Sequence, residues 1–479
     1  MDKYIRLITS CVLILSYSVV GRFFQTEDKE KSSVPIKRIE NINLSFTNLE
    51  DNQDHMSEQI DEAVEGSKDN LSMSTGLEVE FAFNLERTSE NPLRGFYTNY
   101  DWGEPVNDFP DSIEFAYIPL SDLMSGPSSF TFDTGLEPSL IAAESRSHQL
   151  VLRPYVDYPS LKSGLPDFLS EKVQMQSYTV HGGGLSPDYN DPDLQAALLS
   201  FIKSLGQRYD GDPRLAVIQL GLLGFWGEWH TWPHDKWFPN DDFQSKVINS
   251  YVKSFAITLL QVRRPVANTP NLRIGFHDDS FAYSTLGDFD WYFHPSLIEA
   301  GADDRWREVS IGGELRPELQ NIIFENNYKN NIGQSFERCV RTTHISMLLN
   351  YSIYSGGLNS LEERDRAEAA ALSLGYVIHV SKVKLLNKVL VVTLENRGVA
   401  PFYPSLFLQV EDISGINTRV KLTRITTDQG PKKFHLNVCR LNPPGHQSPW
   451  TLSLQSDYIL PSQKILFATE PGQGLIRVE

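Results

Sequence analysis

The chain has 479 residues, 40% of them hydrophobic and 22% charged, which suits two or three folded units and excludes a wholly disordered or membrane-embedded protein. Its formal net charge of −18 argues against a nucleic-acid partner, because phosphate binding needs clustered Lys and Arg. Close to half of that charge is local: residues 26–78 carry 13 acidic against 5 basic side chains, so the acidity describes a solvated stretch rather than a substrate.

In chain order, Lys3 and Arg6 precede an apolar run over residues 7–20 and then Gly21, the layout of a secretory signal peptide over residues 1–21. The run is shorter than the ~20 residues that span a bilayer. A secreted or extracellular protein is expected, membrane-anchored if the segment is not cleaved. Residues 22–76 have few large apolar side chains and many acids, and read as a disordered acidic linker that includes the sequons at Asn43 and Asn70. A third sequon, at Asn350, lies in an apolar run and is expected to be buried.

From residue 77 to 375 short apolar runs alternate with amphipathic stretches. Strands are predicted at 94–97, 114–123, 150–159, 215–224, 265–269, 273–276, 309–313 and 344–351, and helices at 192–209 and 241–262. Eight strands with helical crossovers predict an α/β fold, a (β/α)8 TIM-type barrel. Over 376–479 helical signals vanish. Alternating strands at 381–392, 405–411, 421–425, 450–454 and 464–469 predict an all-β sandwich, an accessory domain.

Functional groups of such a barrel gather at the C-terminal ends of its strands. The fourth predicted strand runs into Glu228, flanked by Trp226 and Trp229, and desolvation there would raise the carboxyl pKa as general acid catalysis requires. The seventh runs through Gly312 and Gly313 into Glu314, across the barrel mouth from Glu228. One carboxyl as proton donor and one as nucleophile would flank a scissile glycosidic bond. Arg94, Arg153, Asp157, His230, His277, Asp278, Asp279 and Tyr351 fall near strand ends and are candidate residues to bind sugar hydroxyls or fix the carboxylates, with Trp226, Trp229, Trp232, Trp237 and Trp291 as stacking surfaces. His230, His234 and Asp235 have metal-like spacing, but Pro233 and the preceding strand deny them a helix, so no metal is expected. His181 and Gly182 to Gly184 lack the Gly-x-Ser-x-Gly partner of a serine hydrolase. Beyond Cys11 in the signal segment, Cys339 and Cys439 either pair or stay as buried thiols.

Several spaced blocks resemble a family of secreted proteins known only as a domain of unknown function (family 4832, with its N-terminal companion domain). They are 91–97 (NPLRGFY), 222–230 (LLGFWGEWH), 277–283 (HDDSFAY), 312–317 (GGELRP) and 396–401 (NRGVAP). The resemblance covers about 90–479. It implies a barrel plus sandwich related to the glycoside hydrolase clan with catalytic glutamates on strands four and seven. That clan has Asn before its strand-four acid, where this chain has Gly227. The expectation is a retaining O-glycoside hydrolase without a cofactor, Glu228 as acid/base and Glu314 as nucleophile, acting on an extracellular glycan. The alternative is a catalytically inactive carbohydrate-binding or adhesion protein on the same barrel.

Overall fold

Runs such as Leu215–Gln219 and Gln149–Tyr155, buried at every position, suit parallel strands covered on both faces. In a computed structural model, which describes residues 77–479 apart from 100, 102–108, 267–268, 326–332, 446 and 473–474, they are two of eight parallel strands that close into a barrel. In chain order the strands are β1 (Gly95–Asn99), β2 (Ile113–Pro119), β3 (Gln149–Tyr155), β4 (Leu215–Gln219), β5 (Leu259–Val262), β6 (Gly275–Phe281), β7 (Ile311–Leu315) and β8 (Met347–Leu349). Each pairs with the next, and β8 closes on β1. The expected signal segment, the acidic linker, Cys11, Asn43 and Asn70 lie outside the described residues.

The crossover helices are α1 (Glu137–Ser145), α2 (Pro192–Tyr209), α3 (Asp241–Ser254), α4 (Phe293–Glu299), α5 (Phe336–Thr343) and α6 (Leu361–Leu372). Helix α2 matches its predicted bounds because its signals are local. Asp191 caps the amides of Asp193 and Leu194, Pro192 starts the first turn, and Leu194, Leu198, Phe201, Ile202 and Leu205 form one buried face. Helix α3 and the fifth strand depart from the prediction. The helix stops at Ser254, and its expected last turn is β5; Pro265, Val266 and Thr269, the described residues of the strand predicted at 265–269, are not strand. The break is made from outside: the Asp210 carboxylate accepts from the amides of Ala256, Ile257 and Thr258 at 2.8–2.9 Å. No helical helix-stop signal in 255–258 announces it.

The β region holds β9 (Ile378–Leu386), β10 (Val389–Asn396), β11 (Phe407–Glu411), β12 (Asn417–Lys421), β13 (Lys432–Asn437), β14 (Trp450–Gln455) and β15 (Ile476–Val478). The single strand predicted at 381–392 is a hairpin turning at Asn387, which takes φ +55°. Of the other predictions, 421–425 lies just past β12, and 464–469 contributes only isolated bridges. The strands form two four-stranded sheets, one of which begins with Glu78–Glu80 paired to β9. Residues 77–83, expected to open the barrel, therefore lie against the sandwich.

Two apolar cores result. One lies between barrel wall and helices. The other runs from barrel interior residues Tyr97, Phe115, Val151 and Val217 straight into sandwich residues such as Val392, Leu408 and Trp450, so the sandwich seals the N-terminal end of the barrel. Tyr458 fixes this seal, donating to the Ala216 carbonyl at 2.9 Å and accepting from the Leu259 amide at 2.8 Å. Both cysteines are free, Cys339 buried and Cys439 exposed, so they do not pair and only one is a buried thiol. Asn350 is buried as expected. No helix among the described residues is long and apolar enough to cross a membrane.

Candidate active site

Strand β4 ends at Gln219, and Glu228 stands on the loop beyond it. In that loop Leu222, Trp226 and Trp229 take φ of +63°, +54° and +59°, a conformation that costs a side-chain-bearing residue roughly 1–2 kcal/mol. Surrounding contacts hold it there. The Leu222 amide donates to the Pro154 carbonyl at 2.8 Å, the Phe225 amide to the His230 carbonyl at 2.8 Å, and the Trp226 amide to the Asp157 carbonyl at 2.8 Å. Trp229 is fully buried with its indole N–H on the Gly221 carbonyl at 3.1 Å, so it anchors the loop and offers no stacking face. Gly227 has φ +67°, and a Cβ there would sit 3.0 Å from Gly221 Cα and 3.2 Å from the Pro154 carbonyl oxygen. The backbone thus explains a glycine where the resembled clan has Asn.

Asp157 is also a loop builder. It is buried, accepts from the Tyr178 hydroxyl at 2.6 Å, and burial pushes its carboxyl up to about 6. Arg94 lies at the opposite end of the barrel. It precedes β1 rather than ending it, and its guanidinium binds the Thr88 hydroxyl and the Leu372 carbonyl. Sequence reasoning placed both residues against substrate; here Tyr178 engages the Asp157 carboxylate, and Thr88 and Leu372 engage the Arg94 guanidinium.

At the mouth, two arginines and two carboxylates alternate. Arg153, almost fully buried on β3, donates to Gln219 Oε1 at 2.7 Å, the Tyr117 hydroxyl at 2.6 Å and Asp279 Oδ1 at 2.7 Å, and stands 3.5 Å from Glu228 Oε1. Arg263, just beyond β5, is 3.5 Å from both Glu228 Oε2 and Asp279 Oδ2. His230 Nε2 approaches Glu228 Oε2 at 3.5 Å, and His277 Nδ1 lies 3.0 Å from Asp279 Oδ1. Burial alone would raise the Asp279 carboxyl, but Arg153, His277 and Arg263 together hold it well below the usual carboxylate range. Burial, with Arg263 adding to it at His230 and Arg153 at His277, lowers both imidazoles.

Glu314 sits on β7 and is half-buried, with no hydrogen bond or ion pair among the described residues. A Cβ at Gly312 would lie 2.9 Å from the Gln261 amide, and one at Gly313 2.5 Å from the Asp278 carbonyl, so the two glycines let neighbours close in before the carboxyl. Burial, then the negative charges of Glu228 and Asp279, push Glu314 up to about 8. Tyr117 and Tyr158 feel both Glu228 and Glu314, each carboxylate adding to the rise that burial gives the phenols. The two glutamates therefore share one electrostatic environment at the mouth.

Asp278 is buried and holds the Thr285 hydroxyl at 2.6 Å and the Ser280 amide at 2.9 Å, which fixes the loop after β6. Burial pushes it up to about 6. That loop carries Trp291, 60% exposed, with Tyr292 edge-on at 4.5 Å. Tyr351 is half-buried just past β8, and Trp226 half-buried beside His230. Sequence reasoning gave no site role to Tyr117, Tyr158, Gln219 or Arg263, whereas Asp279 was among its strand-end candidates. Arg263 was lost with the misplaced fifth strand; the pair Arg263 and Arg264 after the apolar Leu259–Val262 was its only signal. No group of three or more His, Cys, Asp or Glu among the described residues is placed to hold a metal ion. Hollows of about 60 Å³, lined by Arg273, Glu308 and Arg424, and about 410 Å³, lined by Asp122 and Thr131, lie away from both glutamates.

No family model matches the sequence, so the resemblance to family 4832 has no family match behind it, and no curated protein matches it either. Among solved structures the chain is similar to endo-glycoceramidase II from Rhodococcus sp., at 11% identity and TM-score 0.36 over 72% of this chain and 97% of that one. It is also similar to a family 39 glycoside hydrolase from Bacteroides cellulosilyticus WH2, at 9% identity and TM-score 0.36 over 73% and 82%. A third is Thermotoga maritima Cel5A, at 11% identity and TM-score 0.32 over 60% and 99%. Similarity at this level says nothing about activity, and the barrel rests on its own strand pairing.

Proposed function

We propose that the barrel mouth cleaves O-glycosidic bonds of an extracellular glycan with Glu314 and Glu228. The observation that carries this reading is the unlike surroundings of two carboxyl groups in one mouth. Glu314 is pushed up to about 8 and lacks a cationic partner, whereas Glu228 lies among Arg153, Arg263 and His230. Paired groups whose surroundings separate their protonation states supply one acid and one base. This favours Glu314 as the proton donor and Glu228, beside the two guanidiniums, as the nucleophile, the reverse of the roles expected from the sequence. If the reaction retains configuration, as the sequence reading expects, Glu228 attacks the anomeric carbon and Glu314 protonates the leaving oxygen, then deprotonates water. The tyrosines Tyr117 and Tyr158 would orient the sugar beside them. No cofactor enters these steps.

The test is hydrolysis of a panel of aryl glycosides and oligosaccharides, with the product anomer followed by NMR. Glu314→Gln and Glu228→Gln should each lower turnover by about 10²–10⁴-fold with an unchanged melting profile near pH 5. Unaltered turnover in either variant removes that residue from the chemistry.

The guanidinium contacts of Glu228 also favour a second reading, a barrel that binds a glycan without cleaving it. A carboxylate shared between Arg153 and Arg263 is restrained from attack. Glycan binding by folded wild-type protein, with no product after prolonged incubation, selects that reading.

A further inference from the structure

Beyond Tyr158, the β4 loop and the segment after β3 carry aromatic side chains that the two-carboxyl mechanism does not use. Trp232 is 52% exposed, although its backbone is fully engaged. Its amide donates to His230 Nδ1 at 3.3 Å, and its carbonyl lies 3.2 Å from His181 Nε2. The His181 ring stands 6.1 Å from Trp232 and 5.1 Å, edge-on, from Trp226, which in turn meets Tyr158 at 6.5 Å. His181 and Trp226 both hold left-handed backbone, φ +56° and +54°. Such strain persists only where surrounding structure fixes it, and it concentrates at ligand clamps.

This row is continuous with the candidate site. Tyr158 responds to both Glu228 and Glu314, and His230, which holds the Trp232 amide, reaches Glu228 Oε2 at 3.5 Å. We propose that Tyr158, Trp226, His181 and Trp232 form a sugar-binding wall leading away from the carboxyl groups, so that the preferred ligand is a linear oligosaccharide rather than a single sugar. The inference rests on the glycan reading above and deepens it.

The chemistry of the wall selects this occupant. Three flat rings flank one imidazole, and a pyranose matches such a surface, its C–H face lying on a ring while its edge hydroxyls meet polar atoms. A lipid surface would call for a broad apolar face bordered by cations, whereas Trp232 is followed by Pro233, His234 and Asp235.

The experiment uses full-length Glu314→Gln protein, so that ligand is not consumed, on a printed array carrying each sugar type as di- to hexasaccharide, with calorimetry on the hits. Affinity should rise with chain length. Adding Trp232→Ala should flatten that rise, weakening the longest ligand about tenfold, and Trp232→Phe should restore most of it. Ile413→Ala, at an exposed sandwich residue, should bind as the parent does. Equal affinity for short and long ligands, or no change with Trp232→Ala, overturns the wall and leaves the mouth as a single-sugar site. Failure to bind any glycan overturns the glycan reading itself, and the wall with it.

Discussion

The two ends of the barrel are closed by opposite means. At the N-terminal end the interior side chains continue into the sandwich core, and the Tyr458 phenol ties the two together through Ala216 and Leu259. At the C-terminal end the same interior stops at Arg153, Arg263, Glu228, Asp279 and Glu314, beneath a loop with three left-handed side-chain-bearing residues. One end is built for stability. The other stores strain and charge that a purely structural plug would have no reason to hold.

The comparison can be broken most forcefully at the seal. Tyr458→Ala removes a buried ring and two hydrogen bonds, and should lower unfolding free energy by about 3–5 kcal/mol in denaturant titration. Activity per folded molecule should not change. A loss of turnover without loss of stability would show that the two ends are not separable.

A smaller effect is expected at the turn into β5. Asp210→Ala leaves three amides without their acceptor and should destabilise by about 1–3 kcal/mol, measured the same way. Because Arg263 follows β5, a rise in KM accompanying that loss would show how firmly the strand sets the mouth.

Gly227→Ala tests the strained loop. The added Cβ meets backbone at 3.0 Å with φ +67°, so a cost of about 1–2 kcal/mol is expected, with turnover falling as Glu228 shifts. A neutral substitution would mean that the loop relaxes freely and that its strain is unimportant.

The gentlest test is pH. Glu314 holds its proton up to about 8 when folded and loses it near 4.5, an ordinary carboxyl value, when unfolded. Its contribution to stability is therefore complete below the unfolded value and fades as pH rises towards 8. Glu314→Gln cannot lose a proton, so it should melt with wild type near pH 4 and above wild type at pH 8. Parallel melting curves across that range would mean that Glu314 is ionised in the folded protein, removing it as an acid. By the same charge state, hydrolysis should decline as pH passes about 8.

Much of this molecule was legible because its signals are local. The cap at Asp191 and the spacing of Leu194, Leu198, Phe201 and Leu205 specify α2 within one stretch of chain, and unbroken apolar runs specify β3 and β4. The block ending at Glu314 falls at the end of β7 for the same reason, since a buried strand must terminate where polar residues begin, whereas Glu228 stands on the loop beyond β4. What the tertiary structure alone decided depends on groups far apart in sequence. Asp210 ends α3 and creates β5, which brings Arg263 to the mouth. Trp229 and Asp157 look like ligand residues in sequence, but Gly221 and Tyr178 turn them inward. The protonation of Glu314 depends on burial beside Glu228 and Asp279, and no local pattern encodes a distance between strands.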